Sequence, residues 1–180
     1  MNDKPNCNMR KAFPKSLPLH GGAVLSRFNF KKLNEYLRIE ITNEQSKMIE
    51  NQPIRTLFRK LPSLGCGKLY LIELGGKVRG YIGLWANPRI GKFNIAPLII
   101  DKNAQGRGLG RAALEGALKM LFDSGASRVA LAVHPENANA IRLYESLGFK
   151  FTGGKWGATD RVMRLERNEA RKLSGMSRRS

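Results

Sequence analysis

The chain has 180 residues, 42% of them hydrophobic and 26% charged, which fits one compact domain of the usual roughly 100–200 residues and excludes a wholly disordered or collagen-like chain. No stretch approaches the roughly 18 uninterrupted apolar residues of a membrane span, and Lys4, Arg10, Lys11 and Lys15 precede no long apolar signal core, so a soluble cytoplasmic protein without membrane contact is expected. With 32 Lys and Arg against 14 Asp and Glu, the formal charge is +18, a field that draws nucleic acid, anionic cofactors or acidic proteins without fixing a chemistry.

In chain order, residues 1–22 mix Pro5, Pro14, Pro18, Gly21 and Gly22 with basic groups and hold no sustained period of 2 or 3.6. They read as a flexible basic arm ahead of a domain over 23–167. Phe30, Leu33, Tyr36 and Leu37 recur at helical spacing and predict a helix near Phe30–Ile39. Thr42 and Gln45 have capping-box spacing, opening a helix from about Asn43 towards Asn51; a short helix over Ile54–Leu61 precedes Pro62. Lys68–Leu74 and Val78–Trp85 flank Gly75-Gly76-Lys77, the pattern of a hairpin.

After a turn at Asn87-Pro88-Arg89 and Gly91, Phe93–Ile100 forms a third strand. Pro97 inside it cannot donate a ladder hydrogen bond, so a bulge or a splayed edge is expected there. Leu109, Ala113, Ala117 and Leu121, four apart, draw the apolar stripe of a helix that Gly125 stops. Arg128–Val133 is a strand, Asn137–Leu147 a second amphipathic helix closing at Gly148, and Lys150–Thr152 and Val162–Leu165 belong to the last strands. Arg171, Lys172, Arg178 and Arg179 mark residues 168–180 as a basic tail. The order predicts an α/β (α+β) fold, a mixed and mostly antiparallel sheet with helices on both faces.

Cys7 and Cys66 exclude a disulfide framework and a four-cysteine zinc site within this chain, and His20 and His134 add little, so no metal is expected. The chemistry concentrates in Gln105-Gly106-Arg107-Gly108-Leu109-Gly110, between the apolar strand Leu98–Ile100 and the helix that follows. A strand-to-helix turn without Cβ atoms lets successive N–H groups approach a phosphate, and the helix N-terminus adds partial positive charge. The segment lacks the Gly-Lys-Ser/Thr ending of a P-loop and the glycine spacing of a Rossmann turn. A second constellation follows: Asn137, Ala140, Leu143 and Tyr144, then Gly148 and Phe149, with Asn137 and Tyr144 two helical turns apart on one face.

Together these residues resemble the GNAT superfamily of N-acetyltransferases, which pairs a Gln/Arg-x-x-Gly-x-Gly/Ala loop with an Asn-x-x-Ala-x-x-Leu-Tyr-x-x-x-Gly-Phe segment. The resemblance covers about Leu69–Leu165 and is strongest over Leu98–Phe151. It implies a GNAT-type sheet with a splayed, bulged strand at the cofactor site, and acetyl-CoA as donor substrate without a metal. Backbone amides of Gln105, Gly106, Arg107, Gly108, Leu109 and Gly110, with Arg111 close behind, would hold its pyrophosphate. The pantetheine would lie beside Leu98, Ile99 and Ile100, where a main-chain N–H near Leu98 or Ile99 would polarise the thioester carbonyl. Asn137 matches a cofactor-contacting position. Tyr144 matches the residue that protonates the leaving thiolate, a phenol with a pKa of about 10 facing a thiol of about 8.5.

Two departures stand out. The strand Glu that takes the amine proton in many relatives is replaced here by Ala132, and another common Glu by Asn94 or its neighbours, leaving the general base unassigned, with His134 as a candidate. Trp85, Tyr81 and Tyr70 are candidates for lining an acceptor cleft, though strand aromatics are usually core, and Cys66 is expected to be inert. The resemblance implies transfer of acetyl to a primary amine by direct attack, on a small molecule or a protein. Alternatives are an acceptor on aminoacyl-tRNA or a ribosomal protein, approached through a basic surface that binds RNA or the ribosome, and a non-catalytic basic binding module on the same fold. Homodimerisation stays open.

Overall fold

A computed structural model describes residues 13–48, 67–87 and 91–170. The helix expected over Ile54–Leu61, Cys7, Cys66, Pro88, Arg89 and residues 171–180 lie outside the described residues. Strands β1 (Ser16–Pro18) and β2 (Ala23–Arg27) are followed by helices α1 (Leu33–Leu37) and α2 (Asn43–Met48). Then come β3 (Lys68–Leu74), β4 (Lys77–Asn87), β5 (Lys92–Ile100), α3 (Leu109–Asp123), β6 (Arg128–Val133), α4 (Ala138–Ser146), β7 (Lys150–Trp156) and β8 (Asp160–Glu166). The strands form one sheet in the order β1-β2-β3-β4-β5-β6-β8-β7. Every neighbouring pair is antiparallel except β5 and β6.

The sheet buries alternate side chains on two faces, as its period of 2 requires. Tyr70, Ile72, Ile82, Leu84, Phe93, Ile95, Val129, Leu131, Met163 and Leu165 pack with the α3 stripe of Leu109, Ala113, Leu114, Ala117 and Leu121. On the opposite face Leu69, Leu71, Tyr81 and Ile99 enclose Tyr36 of α1, whose ring meets that of Tyr81 at 4.9 Å. Each such large side chain contributes roughly 1.5–3 kcal/mol of burial. The α4 residues Ala140, Ile141, Leu143 and Tyr144 join the α3-side core.

Residues 13–22 depart from the expected arm. Phe13 is 1% exposed, Tyr70 Oη donates to Pro14 O at 2.7 Å, and β1 pairs with β2. Leu17, Leu19 and Leu25 press on α3 at Gly116, where an added Cβ would stand 2.6 Å from Leu19 Cδ2. A few anchoring side chains spread among prolines and glycines build no period, which is why the sequence pattern reads as loose. The helix expected near Phe30–Ile39 is also shorter, a 3-10 turn over Phe30–Lys32 leading into α1. At the other end, residues 167–170 are helical.

Pro97 sits in the expected bulge. Ile82 pairs with Leu98 and Leu84 with Ile95, so Ala96 and Pro97 together stand opposite Gly83. A Cβ on Gly83 would lie 2.2 Å from Ala96 O, and only glycine lets β4 pass there. The extra residue shifts the phase of β5: Phe93 and Ile95 face α3, whereas Ile99 faces α1.

Candidate active site

The parallel partners β5 and β6 are in register at one pair, Asn94 with Ala130. Past that pair they diverge, so Leu98–Ile100 are laddered to β4 alone, opposite Ile82, Tyr81 and Gly80. The ladder also says which backbone groups face the gap. Asp101 N–H donates to Arg79 O at 2.8 Å, and hydrogen-bonded pairs alternate along an antiparallel ladder. Ile99 is therefore committed to β4, while the N–H and C=O groups of Leu98 and Ile100 point into the splay. Of the two amides named from sequence for the carbonyl, Leu98 is the one aimed there.

Beyond Ile100 the chain makes a 3-10 turn over Lys102–Ala104 and then the exposed run from Gln105 to Gly108. Gly106 has φ 72° and Gly108 φ 74°, left-handed conformations that cost glycine little, with nothing within 4 Å of the Cβ either would carry. Gly108 caps α3 without a side-chain hydrogen bond, and the first turn of α3 holds no acidic residue. Its amide donors and the positive end of its dipole are thus left for an anion. This open, uncapped cradle fits a pyrophosphate.

Three elements meet beside it. A Cβ on Gly110 would lie 3.6 Å from Leu143 Cδ2 of α4 and 3.8 Å from Ile100 Cγ1 of β5. Arg111 ties α3 to α4, its guanidinium donating to Ser146 Oγ and standing 3.5 Å from Glu115 Oε1. Asn137 caps α4, its Oδ1 accepting from Ala140 N–H at 3.1 Å, which leaves the amide nitrogen for a ligand. Two turns further along, Tyr144 is buried against Phe149, their ring centroids 5.9 Å apart. Its hydroxyl has no hydrogen-bond partner among the described residues, and burial pushes the phenol up to about 12, two units above the value the sequence suggests.

No carboxylate stands at either position where the family pattern has one. Ala132 lies half-buried opposite Val162, and Asn94 lies between Trp85 and Ala130. His134 Nδ1 accepts from Glu136 N–H at 3.3 Å, so a neutral ring carries its proton on Nε2 and presents a donor. Of the aromatics considered for an acceptor cleft, Tyr70 and Tyr81 are core, and Trp85 is half-buried with Nε1 donating to Ala96 O at 2.8 Å. Sequence reasoning overlooked Asp101, which is buried and accepts from the Asn103 and Glu40 amides. An aspartate at the end of an apolar strand, just before a turn, was its available signal.

A mixed sheet opened between its parallel strands, with an uncapped glycine turn at the mouth of the opening, defines an acyltransferase-type fold. The chain belongs to the acetyltransferase (GNAT) family, whose description matches residues 34–149. The mycothiol acetyltransferase of Beutenbergia cavernae is 35% identical over 144 residues, covering 73% of this chain and 46% of that protein. The ribosomal protein bS18-alanine N-acetyltransferase of Escherichia coli is 49% identical over 57 residues, covering 32% of this chain and 36% of that protein. The matches therefore span less than half the length of these curated relatives. The solved structure of Mycobacterium smegmatis RimJ in complex with CoA-disulfide is similar with a TM-score of 0.71 at 18% identity, covering 93% of this chain and 97% of that one. No helix among the described residues is long and apolar enough to cross a membrane.

Proposed function

We propose that this chain is an N-acetyltransferase that moves acetyl from acetyl-CoA to a primary amine by direct attack. The observation that carries this reading is the divergence of β5 and β6 past Asn94 and Ala130, with the uncapped start of α3 at its mouth. Acetyl-CoA supplies the activated thioester. The amides of the Gln105–Gly110 turn and the first turn of α3, with Arg111 nearby, hold the pyrophosphate. The edge of Leu98–Ile100 that faces away from β4 pairs with the pantetheine, and Leu98 N–H donates to the thioester carbonyl, where negative charge grows as the amine attacks.

The Asn137 amide nitrogen steadies the donor, and Tyr144 donates a hydrogen bond to sulfur as the C–S bond breaks. With Ala132 and Asn94 lacking a carboxylate and His134 Nδ1 occupied, the amine gives up its proton to water. The helices α3 and α4 fill one face of the sheet, so the amine approaches from the face that carries α1.

A second reading of the acceptor, an amine on a ribosomal protein or a charged tRNA, is favoured by the +18 charge and by the similarity to an enzyme whose name gives ribosomal protein bS18 as its target. Incubation with radiolabelled acetyl-CoA and a cell extract, followed by separation of RNA, protein and small molecules, tests both. Label in the RNA fraction or in ribosomal proteins selects the second reading, and label in small molecules or other proteins rejects it. No label in any fraction, with CoA binding intact, refutes the enzyme and leaves a non-catalytic basic module.

A further inference from the structure

The connection between α1 and α2 is stitched to the segment that leads into the glycine turn. Glu40 N–H donates to Asp101 Oδ2 at 3.0 Å, Lys102 N–H donates to Glu40 O at 2.8 Å, and Lys102 Nζ lies 2.7 Å from Glu40 Oε2. Because Asp101 Oδ1 accepts from Asn103 N–H at 2.9 Å, one buried carboxylate holds residue 40 with one oxygen and the turn with the other. Further along, Gln105 Nε2 donates to Gln45 Oε1 at 2.9 Å and to Ile100 O at 3.2 Å. That Gln45 oxygen also accepts from Thr42 N–H at 3.1 Å, while Gln45 N–H donates to Thr42 Oγ1 at 3.1 Å.

The expected capping box of α2 is therefore present, and it has an added function. A capping glutamine needs its oxygen only for the helix start. Here the same oxygen receives one hydrogen of the Gln105 amide, whose other hydrogen goes to Ile100 O, a carbonyl aimed into the splay. The Gln105 side chain is thereby directed away from the turn, and only its backbone is left to face an anion. The tie joins the start of α2, which follows α1 on the approach side for the amine, to the end of β5 and the donor turn.

We propose that Gln45 is a positioning residue for the donor site. Through the Gln105 amide it fixes the end of β5 and the glycine turn in the geometry that receives the CoA pyrophosphate. Binding there in turn holds residues 40–45 in place beside the incoming amine. The proposal rests on the donor site described above. It adds a coupling between the donor turn and a helix start that does not itself belong to the turn.

The test is calorimetric titration of the full chain with CoA, using Gln45→Ala, Gln45→Glu and Gln105→Glu, with thermal unfolding of each variant in parallel. Glutamate at 45 keeps an acceptor for both Gln105 Nε2 and Thr42 N–H, whereas glutamate at 105 has no hydrogen to donate. Loss of one net hydrogen bond predicts CoA affinity weakened roughly three- to tenfold in Gln45→Ala and Gln105→Glu, and unchanged within about twofold in Gln45→Glu. Amide hydrogen exchange should show CoA protecting residues 40–45 in the wild type and much less in Gln45→Ala.

Equal CoA affinity and equal protection in wild type and Gln45→Ala would overturn the coupling. So would a Gln45→Glu variant as weak as Gln45→Ala, because that variant keeps both the helix cap and the acceptor for Gln105, and neither would then account for the loss. A wild-type chain that fails to bind CoA would instead bring down the donor-site reading on which the proposal stands.

Discussion

Replacing Tyr144 with Phe removes one oxygen and leaves the packing of the ring against Phe149 in place. The hydroxyl has no partner among the described residues, so the substitution orphans no buried group and should leave unfolding stability within about 1 kcal/mol. Its effect on turnover follows from the burial that lifts the phenol to about 12. A departing thiol has an ordinary pKa near 8.5, so complete proton transfer from Tyr144 is uphill by about 5 kcal/mol. The phenol is therefore suited to donating a hydrogen bond to sulfur as charge builds, with water completing the protonation. A hydrogen bond to a charged group contributes about 1.5–3 kcal/mol, so Tyr144→Phe should lower kcat roughly 10- to 150-fold. The assay is steady-state CoA release with an acceptor identified by labelling, beside calorimetric CoA binding, which should not change. Unchanged kcat, or a wild-type profile whose alkaline limb titrates at an ordinary phenol value near 10, would refute the reasoning.

Three further outcomes are expected. Gly83→Ala forces a Cβ to within 2.2 Å of Ala96 O, which should cost about 1–3 kcal/mol of stability in denaturant unfolding as the bulge opens; a midpoint equal to wild type would contradict the packing described. Asn137→Ala removes the α4 cap and should cost about 1 kcal/mol, with Asn137→Asp or Asn137→Ser retaining most of it; an equal loss in all three would assign the residue elsewhere. Burial also holds the Tyr81 phenol up at about 12, like that of Tyr144. Between pH 10 and 12 the folded chain then retains protons that the unfolded chain loses. Stability should be fully present below about pH 10 and fall by up to about 1.4 kcal/mol per pH unit for each phenol as pH rises through 12; urea midpoints that stay flat to pH 11.5 would exclude these shifts.

The parts of the fold that could be read from the sequence are those whose cause is local. The α3 stripe, the Gly75-Gly76 hairpin and the glycine turn announce themselves through spacing and backbone freedom, and Pro97 signals a bulge through its missing N–H. Strand order does not lie within any one segment. That β8 inserts between β6 and β7 depends on how side chains far apart in sequence share a core. The same limit hid β1 and β2, where Leu17, Leu25 and the intervening Leu19 are legible as anchors only against Gly116. In the candidate site, Tyr144 and Asn137 are singled out by their match to the family motif, but the burial that raises the phenol and the capping that occupies one end of the Asn137 amide belong to the tertiary environment. Asp101 and Gln45 lay outside the motif, and only the distances to residues 40 and 105 reveal what they join.

The bulge at Ala96-Pro97 means that the chemistry of β5 is set by counting as much as by identity. Side chains and amides alternate together along a strand, so deleting one residue there would rotate everything downstream by half a period. The Ile99 amide would swing into the opening, those of Leu98 and Ile100 would turn into the β4 ladder, and the Ile99 side chain would leave its place beside Tyr81. A deletion mutant could thus keep every residue from Leu98 onwards and still lose the carbonyl contact proposed for the Leu98 amide. In aligning distant relatives, the residue that follows the bulge is a safer landmark than similarity of the apolar letters, since Leu98, Ile99 and Ile100 are chemically interchangeable but geometrically opposed.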